Sequence, residues 1–146
     1  MISERSAGAV VYRECEDDKK YLLLLYLGGH WDFPKGNIEK DENEIDTVVR
    51  EVEEETGISD IDFIEGFRHS IKYFYKRDGN LVNKEVVFFV TKTSTEKVKI
   101  SHEHKDFIWL DFDEAMKKLT FSNSKEILKR ANSYLGKKRS LKDFSG

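Results

Sequence analysis

Three glutamates crowd one short stretch of the chain, Glu51, Glu54 and Glu55 in the run REVEEETG. On a helix, at roughly 100° per residue, they fall within an arc of about 100°. Ile45, Val48, Val49 and Val52 recur at i, i+3, i+4 and i+7, so the acidic arc is expected to lie beside a buried stripe. Like charges at this spacing repel even in water, and the cost grows where water is scarce. A hard divalent cation such as Mg²⁺ or Mn²⁺ removes it, because such ions take oxygen ligands. A solvated acidic face is the plainer alternative.

The neighbouring residues add to the metal reading. Pro34 stiffens the approach to Gly36, where a missing side chain would let the backbone pass close to an ion. Asp41 with Glu44 fits a capping box, and Gly57 fits the residue just past a helix end. Glu42 and Arg50 stand eight apart, too far to pair along a helix surface. A bend of the loop would bring them together, and Arg50 is expected to brace the loop in that way.

The elements that must hold this stretch read as follows. Segments 7–13 and 21–27 are apolar and β-prone, with an exposed loop over 14–20 between them. Segment 61–75 reads as one long strand or two short ones, and 76–80 as a turn with an Asp-Gly hairpin signal. The run 85–93 is the clearest strand and, being almost wholly apolar, a central one. Shorter strands are expected at 98–100 and 107–110, and helices at 111–119 and 122–135, with a polar, fraying tail over 137–146. Strands, then a helix, then strands and closing helices imply a mixed sheet between helical layers, an α/β (α+β) architecture in one domain over 1–146.

Composition bounds the setting. The chain of 146 residues is 38% hydrophobic and 36% charged, with a net charge of −3 that hides two poles. Nine acidic and two basic residues lie in 39–55, and nine basic and two acidic in 117–146. A carboxylate pole suits cations and a basic one suits an anionic ligand. The single cysteine, Cys15, excludes an intramolecular disulfide. No apolar run has signal-peptide or membrane-spanning length, so a cytoplasmic protein without a membrane partner is expected.

The complete spacing is more specific than any of these features. Gly36, five residues, Glu42, seven residues, then Arg50-Glu51-Val52-x-Glu54-Glu55-x-Gly57-Ile58 fills every specified position of the Nudix box over 36–58. The chain therefore resembles Nudix hydrolases. Outside the box, Trp31-Asp32-Phe33-Pro34-Lys35-Gly36, Ile64-Glu65-Gly66-Phe67, Ser101-His102-Glu103-His104 and Phe107-Ile108-Trp109-Leu110 are similar to asymmetric diadenosine tetraphosphate hydrolases of the animal and archaeal type.

The resemblance implies an α/β/α sandwich whose box forms a loop–helix–loop. It implies divalent ions, Mg²⁺ or a substituting Mn²⁺, on Glu51, Glu54 and Glu55, with a backbone carbonyl of Lys35 or Gly36 as a further ligand and Glu42 and Arg50 as supports. Glu103 is expected as general base or additional ligand, with Glu51 the alternative base. His30, Lys35, Lys84, His102 and His104 are candidates for phosphate contacts. Tyr73 and Tyr75 are candidates for stacking on adenine, with at most one of the two expected to point into the site. The substrate implied is a dinucleoside polyphosphate, cleaved with water to ATP and AMP by a monomer. Removal of pyrophosphate from RNA 5′ ends is the near alternative, and a non-catalytic nucleotide sensor a more distant one. The hairpin over 76–83 is longer and more charged than the resemblance leads one to expect.

Overall fold

The computed structural model describes the backbone of residues 1–145 and the side-chain environment of residues 1–138. In chain order the elements are β1 (Ile2–Cys15), β2 (Asp18–Tyr26), β3 (Trp31–Asp32), β4 (Lys35–Asn37), α1 (Glu44–Thr56), β5 (Asp62–Phe63), β6 (His69–Arg77), β7 (Asn80–Lys92), β8 (His104–Leu110), α2 (Phe112–Lys118) and α3 (Ser122–Ser145).

β1 is the strand to which the rest is joined. Every residue from Ser6 to Tyr12 is buried, which is why its sequence is a continuous small-apolar run without alternation. It lies parallel to β7, from Ile2 opposite Val82 to Tyr12 opposite Lys92. It also lies antiparallel to β2 at one end and to β4 at the other. β3 and β8 extend the sheet from β2, and β5 and β6 extend it from β7. The sheet is thus mixed, as expected.

Its two faces carry separate cores. On one, Val48 and Val52 of α1 pack with Ala7, Ala9, Val11, Leu22 and Leu24. On the other, Ala115, Leu119, Ile127, Leu128, Ala131 and Leu135 from α2 and α3 cover Val10, Tyr12, Leu23, Val86, Phe88 and Val90. The result is three layers, α/β/α, with the acidic helix alone on its side.

Several local expectations are corrected. The loop expected over 14–20 shrinks to the turn at Glu16 and Asp17, because β1 and β2 stay paired up to Cys15 and Asp18. Segment 61–75 keeps the second of its two expected readings, two strands, β5 and β6, the latter running on to Arg77. Segment 98–100 forms no strand. Its backbone instead donates from Lys99 to Thr56 O (2.9 Å) and from Ser101 to Glu55 O (3.3 Å), satisfying carbonyls that the end of α1 leaves open. The helix cap is Asn43, not Asp41. Asn43 and Asp46 form the reciprocal capping box, while Asp41 turns through φ 69° two residues earlier.

The buried stripe of α1 is also displaced. Ile45 and Val49 are 39% and 41% exposed, and Thr47, Val48, Val52, Glu55 and Thr56 are the buried positions. Glu55 therefore lies within the buried face and not beside it. The tail expected to fray from residue 137 continues α3 to Ser145, held near its base where Tyr134 Oη (2.5 Å) and Lys138 Nζ (3.4 Å) donate to Glu65 O. Gly146 lies outside the described residues. The hairpin β6–β7 closes on Asp78 and Gly79, both at positive φ, the turn that an Asp-Gly pair favours. Among the described residues no helix is long and apolar enough to cross a membrane.

Candidate active site

β4 and α1 bring the acidic residues against the backbone. A Cβ on Gly36 would fall inside the Glu51 carboxylate, so only glycine lets β4 approach this closely. One residue earlier, the Lys35 N–H donates to Glu55 Oε2 (3.1 Å). The side chains of Glu55, Glu51 and Glu54 are 5%, 14% and 59% exposed. Burial, reinforced by the neighbouring Glu51, pushes Glu55 up to about 9. Burial likewise raises Glu51, with Arg50 opposing. Two carboxylates are thus held together with little water and no full counter-charge, at a cost that a cation would relieve.

Arg50 braces the loop as expected. Its Nε and Nη2 grip Glu42 at 2.6 and 3.0 Å, and Nη2 also reaches Asn37 O at 3.0 Å. Hydrogen bonding to Arg50 pulls Glu42 down to about 2. The same guanidinium binds Glu51 (2.6 Å) and Glu54 (3.2 Å) through Nη1. Among the described residues no three acidic, histidine or cysteine side chains stand close enough together to enclose a cation in this arrangement. The donor chemistry nevertheless suits a hard ion: carboxylate oxygens, nearby main-chain carbonyls and a glycine where a side chain would obstruct.

The 101–104 loop is tied to this cluster through the Ser101 N–H on Glu55 O. His104 is fully buried. Its Nδ1 lies 3.1 Å from Ser101 Oγ, while Nε2 has no hydrogen-bond partner and stands 3.9 Å from Glu55 Oε1. Burial depresses its basicity, so a phosphate contact is not open to it as placed. That expectation is corrected: His104 faces Glu55 from the interior. Glu103 is exposed, near enough to Glu51 and Glu55 to raise both. His102 is exposed as well. His30 stacks on Tyr26 (centroids 4.8 Å), whose other neighbour is His104, edge-on at 4.5 Å. Tyr26 is a residue that sequence reasoning passed over; its hydroxyl donates to Phe33 O (2.7 Å).

The remaining candidates gather on the sheet face opposite α1. Tyr73 pairs with Lys84, and Lys84 with Glu4, so strand alternation sets all three on one side. Tyr75, two residues from Tyr73, shares that side; their rings lie 6.3 Å apart. The expectation that only one of them could face the site is wrong, since alternate strand residues point the same way. Tyr73 packs against the core, and the Tyr75 hydroxyl donates to Glu4. Lys84 Nζ donates to Asn37 Oδ1 (3.1 Å), one residue beyond Gly36, and stands 3.9 Å from Glu4. Glu4 and Asn37 were also missed, although the even spacing of 4, 6 and 8 along β1 was available as a signal.

Comparison with known proteins agrees with this geometry. The NUDIX domain model matches residues 3–131. Nudix hydrolases depend on divalent metal ions. The chain is 31% identical over 143 residues to the asymmetrical bis(5′-nucleosyl)-tetraphosphatase of Rattus norvegicus, covering 90% of this chain and 95% of that one. It is 32% identical over 126 residues to the m7GpppN-mRNA hydrolase of Saccharomyces cerevisiae, covering 83% of this chain but 12% of the relative. The crystal structure of a C. elegans Ap4A hydrolase binary complex superposes with a TM-score of 0.81 at 27% identity, over 91% of this chain and 98% of that one. With its box intact on the loop, helix and turn described above, the chain belongs to the Nudix family.

Proposed function

We propose that the protein hydrolyses dinucleoside polyphosphates, in the first place diadenosine tetraphosphate with water to ATP and AMP. The observation that carries this reading is a junction. Gly36 abuts Glu51 on one side of β4, and Asn37, the next residue, meets Lys84 on the other. A phosphate chain lying across β4 would have carboxylates for cations at one end of its path and ammonium groups along the rest. The full-length likeness to the rat tetraphosphatase supports the same substrate class.

Glu51, Glu54 and Glu55, with a main-chain carbonyl of Lys35 or Gly36, would hold Mg²⁺, for which Mn²⁺ can substitute. When bound, such ions neutralise charge building on phosphate oxygens and acidify water. Glu103 takes the proton of the attacking water as the new P–O bond forms and the bond to the leaving phosphate oxygen breaks. Its exposure and its reach to Glu51 and Glu55 suit that task. Glu51 is the alternative base. Arg50 and Glu42 support the loop. His30, His102, Lys35 and Lys84 would meet phosphates, and Tyr73 and Tyr75 the base.

A second reading, removal of pyrophosphate from RNA 5′ ends, is favoured by the basic charge of 117–146, and the partial likeness to the yeast m7GpppN-mRNA hydrolase supports an RNA 5′ end as the substrate without specifying that product. The test is product analysis with Mg²⁺ in ¹⁸O water, on dinucleoside polyphosphates, triphosphorylated and capped RNA, and ADP-ribose. ATP plus AMP as the preferred outcome is expected. A wide preference for RNA would reject the substrate. In the same assay Glu54→Gln and Glu55→Gln should each lower turnover by at least about 10²-fold with folding kept, and rates like the native protein's would reject the metal assignment.

A further inference from the structure

Asp32 is a buried acid for which the reaction above has no use. It is 1% exposed and sits at the end of β3, three residues before Lys35. Its two oxygens do different things. Oδ1 accepts from the Phe33 N–H (2.8 Å) and from Ser124 Oγ (2.8 Å) in the first turn of α3. Those two bonds fix the carboxylate in rotation. Oδ2 is left facing Lys35 Nζ at 3.0 Å. Carboxylates are seldom buried unless paired, and this one is paired to a lysine that keeps some access to water, its side chain being 23% exposed.

The path of Lys35 is prepared on the other side too. Its stem crosses β1 at Gly8, where a Cβ would come within 2.6 Å of Lys35 Cβ. The same Cβ would lie 2.6 Å from Pro34 O, so any larger residue at position 8 would push β4, and Lys35 with it, off β1. Lys84, on the same face, feels the Lys35 charge and has its own carboxylate, Glu4, at 3.9 Å. Two ammonium groups that repel one another are therefore each held by a separate acid. A free lysine loses side-chain entropy when it fixes on a ligand, and here that ordering is already done.

We propose that Asp32 is a positioning residue for phosphate binding: anchored by Phe33 and Ser124, it holds the Lys35 ammonium toward the polyphosphate chain. The proposal rests on the reading of Lys35 as a phosphate contact. It also gives the short β3 a purpose, since that strand carries the anchor.

A double-mutant cycle tests it, with Asp32→Asn and Lys35→Met alone and together. Asparagine keeps an oxygen for Phe33 and Ser124 and removes the charge facing Lys35. With diadenosine tetraphosphate and Mg²⁺, Asp32→Asn should raise KM about ten-fold and leave kcat within about two-fold, the pattern of lost uniform binding. In the Lys35→Met background the same change should cost less than about two-fold. Equal costs in both backgrounds, or a fall in kcat at constant KM, would mean a structural role and overturn the proposal. The cycle is repeated on equilibrium binding of inorganic tripolyphosphate by calorimetry, which needs no turnover. If the native protein binds tripolyphosphate with the expected coupling yet cleaves no dinucleoside polyphosphate, the substrate assignment falls and Asp32 keeps its role. Absent tripolyphosphate binding, or absent coupling, rejects Asp32. Ser124→Ala, which removes one of the two bonds that fix Oδ1 and leaves the Asp32 charge, replaces Asp32→Asn in the cycle if the latter does not fold, with a rise in KM expected only where Lys35 is present.

Discussion

A glycine whose missing carbon is occupied by a carboxylate is a residue-scale constraint with a measurable consequence. Gly36→Ala would press a methyl group into Glu51, the movable end of a flexible side chain, so the fold can yield. The midpoint of thermal unfolding should shift by no more than about 2–4 °C, corresponding to about 1 kcal/mol. Turnover should fall about 10²-fold, because a displacement near 1 Å at a catalytic group has that effect. Loss of folding in place of activity would show that the close approach is structural. A glycine at 36 was expected from sequence for the passage of backbone beside an ion, whereas the structure sets it against the Glu51 carboxylate. The burial of Glu55 was not legible, since it depends on where the helix presses on the sheet and a helical wheel gives only the angle. The shared side of Tyr73 and Tyr75 was legible, since residues two apart on a strand point the same way.

At the scale of elements, the start of α1 is fastened to the sheet by ion pairs. Arg68 grips Glu44 through Nε and Nη2, both at 2.8 Å, and Arg5 reaches it at 2.7 Å while also binding Glu85 at 3.0 Å. The hydrogen bonds from Arg68, then from Arg5, pull Glu44 down to about 2. A depressed carboxylate stabilises the fold above its unfolded value of 4.5, and that stability is lost as pH falls toward 2. Both arginines are about half exposed (52% and 51%), so the contribution is set at about 1 kcal/mol, as for a small surface network. Glu44→Gln should cost that much in urea unfolding at pH 7, and the native and variant proteins should converge between pH 4.5 and 2. A difference that persists at pH 2 would show that Glu44 acts through packing. None of these partners could be paired from sequence, since they come from β1, β7 and the loop before β6. The capping box was readable as a pattern but was placed two residues early, where Asp41 already turns into the left-handed region.

The whole molecule is arranged so that both halves of the candidate site hang on β1. β4 joins it at Ser6–Gly8 and brings the acidic helix, while β7 joins it in parallel and brings Lys84 and the tyrosine hairpin. The strand order was not legible, because a parallel pair of neighbouring strands 80 residues apart in the chain leaves no local signal. Amides in the Ser6–Tyr12 segment, buried, paired with β7 throughout and flanked by β4 and β2 at its two ends, should be the slowest to exchange with deuterium, opening only with global unfolding. Faster exchange there than in β6 would mean that the sheet opens from its centre.

That same pairing sets a delay during synthesis. β1 leaves the ribosome before β7, and its parallel partner lies 80 residues later, Val82 opposite Ile2. At about 5–20 residues per second, the apolar run waits on the order of 4–16 s without the neighbour it was built to meet. For that interval it is a sticky edge. Chains arrested before β7 should be cut readily by protease within residues 6–12, and the full chain should resist.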